Sequence, residues 1–172
     1  SLHDALPICE YAVSDYPRWV KHADQRAVLR EVSSGLYVGG MIAVCERPHT
    51  QTDWWTVIDC HGYRVEHTRE ERFPRLPRVL RYGYDDGGPV PHDLLAATVA
   101  LYDARRGPML VSCAAGRSRS VSVAYAILRV AEDMEHDEAL RCVSLPGDNN
   151  GPAPVTIGSA KMWSDARTGA KK

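Results

Sequence analysis

The segment from Ser112 to Ser120 constrains the fold of this chain more than any other feature. It reads Ser-Cys-Ala-Ala-Gly-Arg-Ser-Arg-Ser, follows the apolar run 108–111 and precedes the helix-like run 121–130. The pattern predicts a buried strand that ends in a loop of small residues, and a helix that begins directly after the loop. Such a loop directs successive backbone N–H groups at one point, where they bind an anion together with the positive end of the helix dipole.

The loop has a nucleophile at its start and an anion-binding side chain at its end. Cys113 comes first, and N–H groups at a helix N-terminus stabilise a thiolate. Arg119 supplies a planar guanidinium that matches two oxygens of a phosphoryl group. Ser120 can stabilise the cysteine when it becomes the leaving group. The residues expected to surround a bound substrate are Ala114, Ala115, Gly116, Arg117 and Ser118.

Composition argues against several other classes of protein. The 172 residues suit one domain, and the 21 basic and 22 acidic side chains balance, so no bulk charge attracts nucleic acid. No apolar run reaches the roughly 18 residues that span a membrane. Five cysteines without a CxxC pair predict a reducing, cytoplasmic compartment. The seven histidines lack metal-ligand spacing, so we expect no metal site and no cofactor.

Strand-like and helix-like segments alternate along the chain. This order predicts an α/β fold with a central, mostly parallel sheet flanked by helices. Strands are expected at 36–38, 54–58, 79–84 and 108–111. One helix is expected to be capped by Asp93 and to stop at Gly107, and a later, shorter one to begin at Asp137.

We expect one catalytic core with a segment on either side. Residues 1–32 are an N-terminal segment, and its first part, 1–8, looks non-native and is given no function. The core covers 33–144. Glycine, proline and asparagine then predict that 145–172 is a loop-rich tail that packs on the core, with a short helix near 159–163.

The segment 113–120 resembles the signature of the cysteine-dependent protein tyrosine phosphatases, Cys-x5-Arg followed by Ser or Thr. It is most similar to the dual-specificity phosphatases, whose loop often reads Cys-x-Ala-Gly-x-Ser-Arg-Ser. The resemblance covers about residues 33–143 and is highly specific only at 112–120. It implies hydrolysis of phosphotyrosine, and of phosphoserine or phosphothreonine as well, through a phosphocysteine. The partner it implies is a phosphorylated protein or another phosphomonoester.

The same resemblance implies a general acid on an upstream loop. The run 85–91, Asp-Asp-Gly-Gly-Pro-Val-Pro, is similar to the acid loop of the phosphatases of regenerating liver, in which the second Asp is the acid. We therefore prefer Asp86 to Asp85, and an ordinary Asp-Gly turn is the alternative interpretation. Cys60 falls where those phosphatases carry a cysteine that forms a reversible disulfide with the nucleophile. The alternative interpretation of Cys60 is a buried strand cysteine.

Two residues of the loop leave the function open. Most relatives have His before the nucleophile, whereas this chain has Ser112, which predicts an enzyme that is slower or works at higher pH but is not inactive. Arg117 adds positive charge at the pocket mouth, where it either favours a more anionic substrate or is simply solvated. The alternatives to a protein phosphatase are therefore a phosphoinositide or RNA 5′-triphosphate phosphatase and a non-catalytic phosphate-binding module.

Overall fold

The computed structural model describes residues 29–40, 56–61, 79–145 and 151–169. The strands in these residues are β1 (Arg30–Ser33), β2 (Leu36–Gly40), β3 (Thr56–Asp59), β4 (Val79–Arg81) and β5 (Met109–Cys113). The helices are α1 (His92–Asp103), α2 (Arg119–Val130), α3 (His136–Val143) and α4 (Pro154–Thr168). None of these helices has the length and hydrophobicity needed to cross a membrane.

The strands form a single sheet in the order β1-β2-β5-β3-β4. Only the β1–β2 pair is antiparallel, and the pairs β2–β5, β5–β3 and β3–β4 are parallel. The predicted α/β fold with a mostly parallel sheet is therefore confirmed. Ser112 of β5 lies opposite Gly39 of β2 and Asp59 of β3, so the central strand ends between the ends of its two neighbours.

β5 and α2 form the centre of the molecule. Every residue of β5 is buried, which explains its continuous apolar run, since a parallel strand is covered on both faces. Eleven residues of α2 are buried as well. This helix contacts the sheet and the other three helices, so the loop between β5 and α2 is attached at both ends to the most enclosed elements of the fold.

The helix starts and one strand differ slightly from the predictions. The strand expected at 79–84 ends at Arg81, and the one expected at 54–58 is described only from Thr56. Asp93 does not cap α1, which follows Pro91. Asp93 lies in the first turn of the helix. The Tyr82 hydroxyl donates to its carboxylate, 2.8 Å from one oxygen and 2.7 Å from the other. The helix expected from Asp137 begins one residue earlier.

The predicted loop-rich tail is wrong for its second half. Instead of a short helix near 159–163, α4 has 15 residues. Pro154 occupies the first position of α4. Proline favours a helix start because the backbone N–H that it lacks would have no partner within the helix at this position. The helix then packs on α2 through a stripe of buried residues at helical spacing, namely Thr156, Ala160, Trp163 and Ser164. A 2.9 Å ion pair between Arg129 of α2 and Asp165 adds to this contact.

The N-terminal segment is described only at its end. There β1, which the sequence did not reveal, pairs with β2. The predictions for residues 1–28 lie outside the described part of the chain.

Candidate active site

The loop after β5 encloses the sulfur of Cys113. Cys113 is the last residue of β5 and is almost completely buried. The Gly116 N–H donates to its Sγ at 3.2 Å, and the Ser120 hydroxyl lies 3.2 Å from the same atom. Gly116 has a φ of +69°, a left-handed conformation that favours glycine. The turn that aims its N–H at the sulfur therefore depends on this glycine.

The end of β2 lies directly against the loop. A Cβ placed on Gly40 would come within 3.0 Å of the Ala114 carbonyl oxygen and 3.3 Å of the Ala115 carbonyl carbon. These distances are shorter than ordinary van der Waals contacts. Only a residue without a side chain allows the loop backbone to approach the strand so closely. No local pattern in the sequence indicates that Gly40 contacts this loop, because the two segments lie more than 70 residues apart in the chain.

The guanidinium of Arg119 is buried at the edge of the loop. Its Nη1 donates to the carbonyl oxygens of Tyr84 at 3.2 Å and Cys60 at 3.4 Å. Burial raises the pKa of Tyr84, so its hydroxyl stays protonated and donates to the Arg119 carbonyl at 3.1 Å. The buried Nε makes no hydrogen bond to any residue that the structure describes. The Nε instead lies 3.5 Å from a carboxylate oxygen of Asp86, within ion-pair distance.

The two adjacent aspartates differ in their relation to this cation. Asp86 Oδ1 lies 3.5 Å from Arg119 Nε, although the Asp86 side chain is 58% exposed. Asp85 is exposed too, and among the described residues its carboxylate forms no ion pair. The turn is closed by the Gly88 N–H, which donates to the Asp85 carbonyl at 3.1 Å. The loop thus brings Asp86 to the mouth of the site.

Cys60 follows β3 at the same edge of the sheet as Cys113. Its N–H donates to the Ser112 carbonyl at 2.8 Å, which continues the parallel ladder one residue past Asp59. The thiol is completely buried. Burial raises the pKa of Cys60 well above its usual value, and the charges of Cys113 and Asp59 raise it further, against the opposing effect of Arg119. Cys60 is therefore a neutral thiol at neutral pH.

Ser112 supports the strand. It is fully buried, and its hydroxyl donates to the Ile58 carbonyl of β3 at 3.4 Å. Successive residues of a strand point to opposite faces, so Ser112 and Cys113 face opposite sides of the sheet.

The remaining loop residues point outward or contact distant segments. Arg117 is exposed, and Ala115 is half-buried. Ser118 precedes α2, and its hydroxyl accepts a 3.0 Å hydrogen bond from the N–H of Ala153. Arg30 of β1 donates to the Gly116 carbonyl at 3.4 Å. No local sequence pattern indicates the contacts of Arg30 and Ala153, because both residues reach the loop across long separations in the chain.

Among the described residues, no group of three or more His, Cys, Asp or Glu side chains is arranged to hold a metal ion. The site is instead formed from the Cys113 thiol, the buried Arg119 guanidinium, the exposed Asp86 carboxylate and the backbone N–H of Gly116. These groups can attack an electrophilic phosphorus, bind its oxygens and exchange a proton with the departing atom.

A parallel strand that ends in a cysteine loop, with an arginine at the start of the next helix, is the arrangement of the dual-specificity and related cysteine-dependent phosphatases. Comparison with solved structures shows that the chain has this fold, as the sequence resemblance predicted. No protein-family model matches the sequence, and no curated protein matches it.

Three solved structures illustrate the similarity. Human DUSP28 is 23% identical with a TM-score of 0.63, covering 80% of this chain and 93% of that one. PTPMT1 in complex with PI(5)P is 18% identical with a TM-score of 0.68, and the match covers 84% of this chain and 99% of that one. The human tyrosine phosphatase-like serine/threonine/tyrosine-interacting protein is 21% identical with a TM-score of 0.64, and the match covers 80% of this chain and 96% of that one.

Proposed function

We propose that the protein is a phosphatase that hydrolyses phosphotyrosine, and phosphoserine or phosphothreonine as well, through a phosphocysteine at Cys113. The observation that carries this proposal is the pairing of a nucleophile with an anion site. Two groups, the Gly116 N–H and the Ser120 hydroxyl, lie 3.2 Å from the sulfur. The buried Arg119 begins the helix that follows the same loop.

In the first step, the Cys113 thiolate attacks phosphorus. A sulfur–phosphorus bond forms while the bond from phosphorus to the leaving oxygen breaks. The backbone N–H groups of residues 114–118 and the guanidinium of Arg119 bind the equatorial oxygens, where negative charge is held in the transition state. Asp86 gives its proton to the leaving oxygen, which departs as a neutral alcohol or phenol.

In the second step, water replaces the cysteine. The Asp86 carboxylate takes a proton from the water that attacks phosphorus, and the sulfur–phosphorus bond breaks. Ser120 donates a hydrogen bond to the sulfur as it leaves as a thiolate, consistent with the 3.2 Å separation of the two atoms. Inorganic phosphate is released, and the enzyme returns to its starting state. None of these steps requires a metal or a cofactor.

A second candidate substrate class is the phosphoinositides. PTPMT1, whose structure in complex with PI(5)P shares this fold, is the first reason to consider it. The exposed Arg117 at the rim of the loop is the second. Ala114 and Ala115 leave the loop uncharged next to the nucleophile, so we rank this candidate below a protein substrate. An RNA 5′-triphosphate is ranked below it, because the balanced charge of the chain offers no field for RNA.

We also propose that the protein works in the cytoplasm. The mechanism requires Cys113 as a free thiolate, which an oxidising compartment would not maintain. The cysteines in the described residues, Cys60, Cys113 and Cys142, are free.

We propose in addition that Cys60 is a redox partner of Cys113. Because Asp59 lies opposite Ser112, the next residues along the two strands come opposite each other. Neighbouring strands are about 4.8 Å apart, which falls within the Cα separations that disulfides span. Peroxide would oxidise the Cys113 thiolate to a sulfenic acid. Cys60 would then displace hydroxide from that sulfur, giving a disulfide and water.

The nucleophile is tested by replacing Cys113→Ser. We expect release of phosphate from p-nitrophenyl phosphate to fall by at least about a thousandfold, because the hydroxyl cannot replace the thiolate. Cys142→Ser, a cysteine outside the loop, is the matched control and should change the rate less than about twofold. Equal turnover by Cys113→Ser and wild type would contradict the proposal. Wild-type binding of vanadate without any phosphate release would indicate a phosphate-binding module instead.

The same wild-type protein should be given phosphopeptides, inositol lipids and 5′-triphosphate RNA. The proposal predicts the highest kcat/KM with the phosphopeptides.

The acid is tested by comparing Asp86→Asn with Asp85→Asn. With phenyl phosphate, whose leaving oxygen is basic, Asp86→Asn should lower kcat/KM by roughly 10²–10⁴-fold. The limb of the wild-type pH–rate profile that reports the general acid should disappear in Asp86→Asn. Asp85→Asn should retain both the limb and most of the rate. Loss of the limb in Asp85→Asn alone would reverse the assignment.

The redox role predicts a difference in recovery. After hydrogen peroxide, wild type should regain activity with dithiothreitol, whereas Cys60→Ser should be overoxidised and stay inactive. Since burial raises the pKa of Cys60, disulfide formation should be faster at higher pH, where more of this thiol is ionised. Mass spectrometry of the linked peptides measures the bond. Equal recovery of activity by Cys60→Ser and wild type would contradict the redox role and leave Cys60 as a buried core residue.

A further inference from the structure

The first turns of α4 form hydrogen bonds with both loops of the site. The Thr156 hydroxyl donates to the Gly88 carbonyl at 2.9 Å, and the Val90 N–H donates to the Ser159 hydroxyl at 2.8 Å. The Ala153 N–H donates to the Ser118 hydroxyl at 3.0 Å. A segment of seven residues, 153–159, thus contacts the loop of Asp86 on one side and the loop of Cys113 on the other.

The acid loop has one internal backbone hydrogen bond, from the Gly88 N–H to the Asp85 carbonyl, and is bonded to α4 at two further points. Gly87 has a φ of +82° and is followed by a second glycine, so this part of the backbone has few intrinsic restraints. Pro89 has no N–H to donate. The two contacts from α4 fall on either side of Pro89, at Gly88 and Val90, two and four residues after Asp86. They fix the backbone that carries the carboxylate.

The helix that supplies these contacts is itself firmly held. Thr156 is completely buried, and the Ser159 hydroxyl donates to the Thr156 carbonyl at 2.8 Å while accepting from the loop. Farther along, Trp163 is buried, and Asp165 pairs with Arg129 of α2 at 2.9 Å. Because α2 also carries Arg119, one rigid body holds both the cation and the support of the acid loop.

We propose that Thr156 and Ser159 are positioning residues that hold Asp86 beside Arg119 at the mouth of the site. The inference rests on the proposed function, because it concerns the acid of that reaction. Neither side chain contacts Cys113 or Arg119 in the hydrogen bonds described here. Their loss should therefore impair protonation of the leaving group and leave the attack by sulfur and the binding of phosphate oxygens largely intact.

The leaving group separates positioning from general destabilisation. p-Nitrophenolate departs with little need of a proton, whereas phenolate needs one. A misplaced acid should therefore lower kcat/KM, which reports the steps up to release of the leaving group, far more for phenyl phosphate than for p-nitrophenyl phosphate. A loosened fold or a disordered cysteine loop would lower both rates by similar factors.

The test compares Thr156→Val and Ser159→Ala, singly and together, with Ser164→Ala as the matched control. Ser164 is buried on the same helix, and its hydroxyl donates only to the Ala160 carbonyl of that helix, at 2.8 Å. We expect the double variant to lose roughly 10- to 100-fold in kcat/KM for phenyl phosphate and only about twofold to threefold in kcat/KM for p-nitrophenyl phosphate. The control should change either rate by less than about twofold. Thr156→Ser, which keeps the donor, should retain wild-type selectivity between the two substrates.

Equal loss on both substrates, or a double variant that behaves like Ser164→Ala, would overturn the positioning role. Asp86→Asn is measured alongside to distinguish failure of the positioning role from failure of the acid assignment. If Asp86→Asn shows the leaving-group dependence and the α4 variants do not, the positioning role alone is wrong. If Asp86→Asn shows none, the acid assignment is wrong and the positioning role falls with it.

Discussion

The buried guanidinium of Arg119 is the group on which the rest of the site depends. A buried charge is tolerated only when hydrogen bonds replace the water it has lost. Here the carbonyl oxygens of Cys60 and Tyr84 do so, at 3.4 and 3.2 Å. Because those carbonyls follow β3 and β4, the cation ties the strand edge to the first turn of α2 and fixes the loop that precedes it.

The position of β5 explains why a nucleophile can lie at this edge. A parallel strand in the middle of a sheet ends between the ends of its neighbours, which leaves a crevice above the carboxyl edge. Cys113 ends β5 there, with Gly40 and Asp59 ending the strands on either side. The absence of a side chain at Gly40 gives the loop the space to turn, and the turn directs the Gly116 N–H at the sulfur.

The sequence predicted those parts of the site that are contiguous in the chain. Cys113 and Arg119 stand in one loop between a strand and a helix, so their proximity follows from local geometry. The preference for Asp86 came from a resemblance, and its 3.5 Å ion pair with Arg119 is consistent with it. The support from α4 could not be predicted. Thr156 and Ser159 reach the acid loop across 68 and 69 residues, and no local pattern encodes such contacts.

The central claim is that a phosphoryl group passes through the sulfur of Cys113. Rapid acid quench of the enzyme during turnover of p-nitrophenyl phosphate, followed by mass spectrometry of its peptides, measures this directly. The account predicts one added phosphoryl group on the peptide that contains Cys113, with a higher occupancy in Asp86→Asn, where hydrolysis of the intermediate is slowed. Turnover without this adduct, or with the phosphoryl group on another residue, would contradict it.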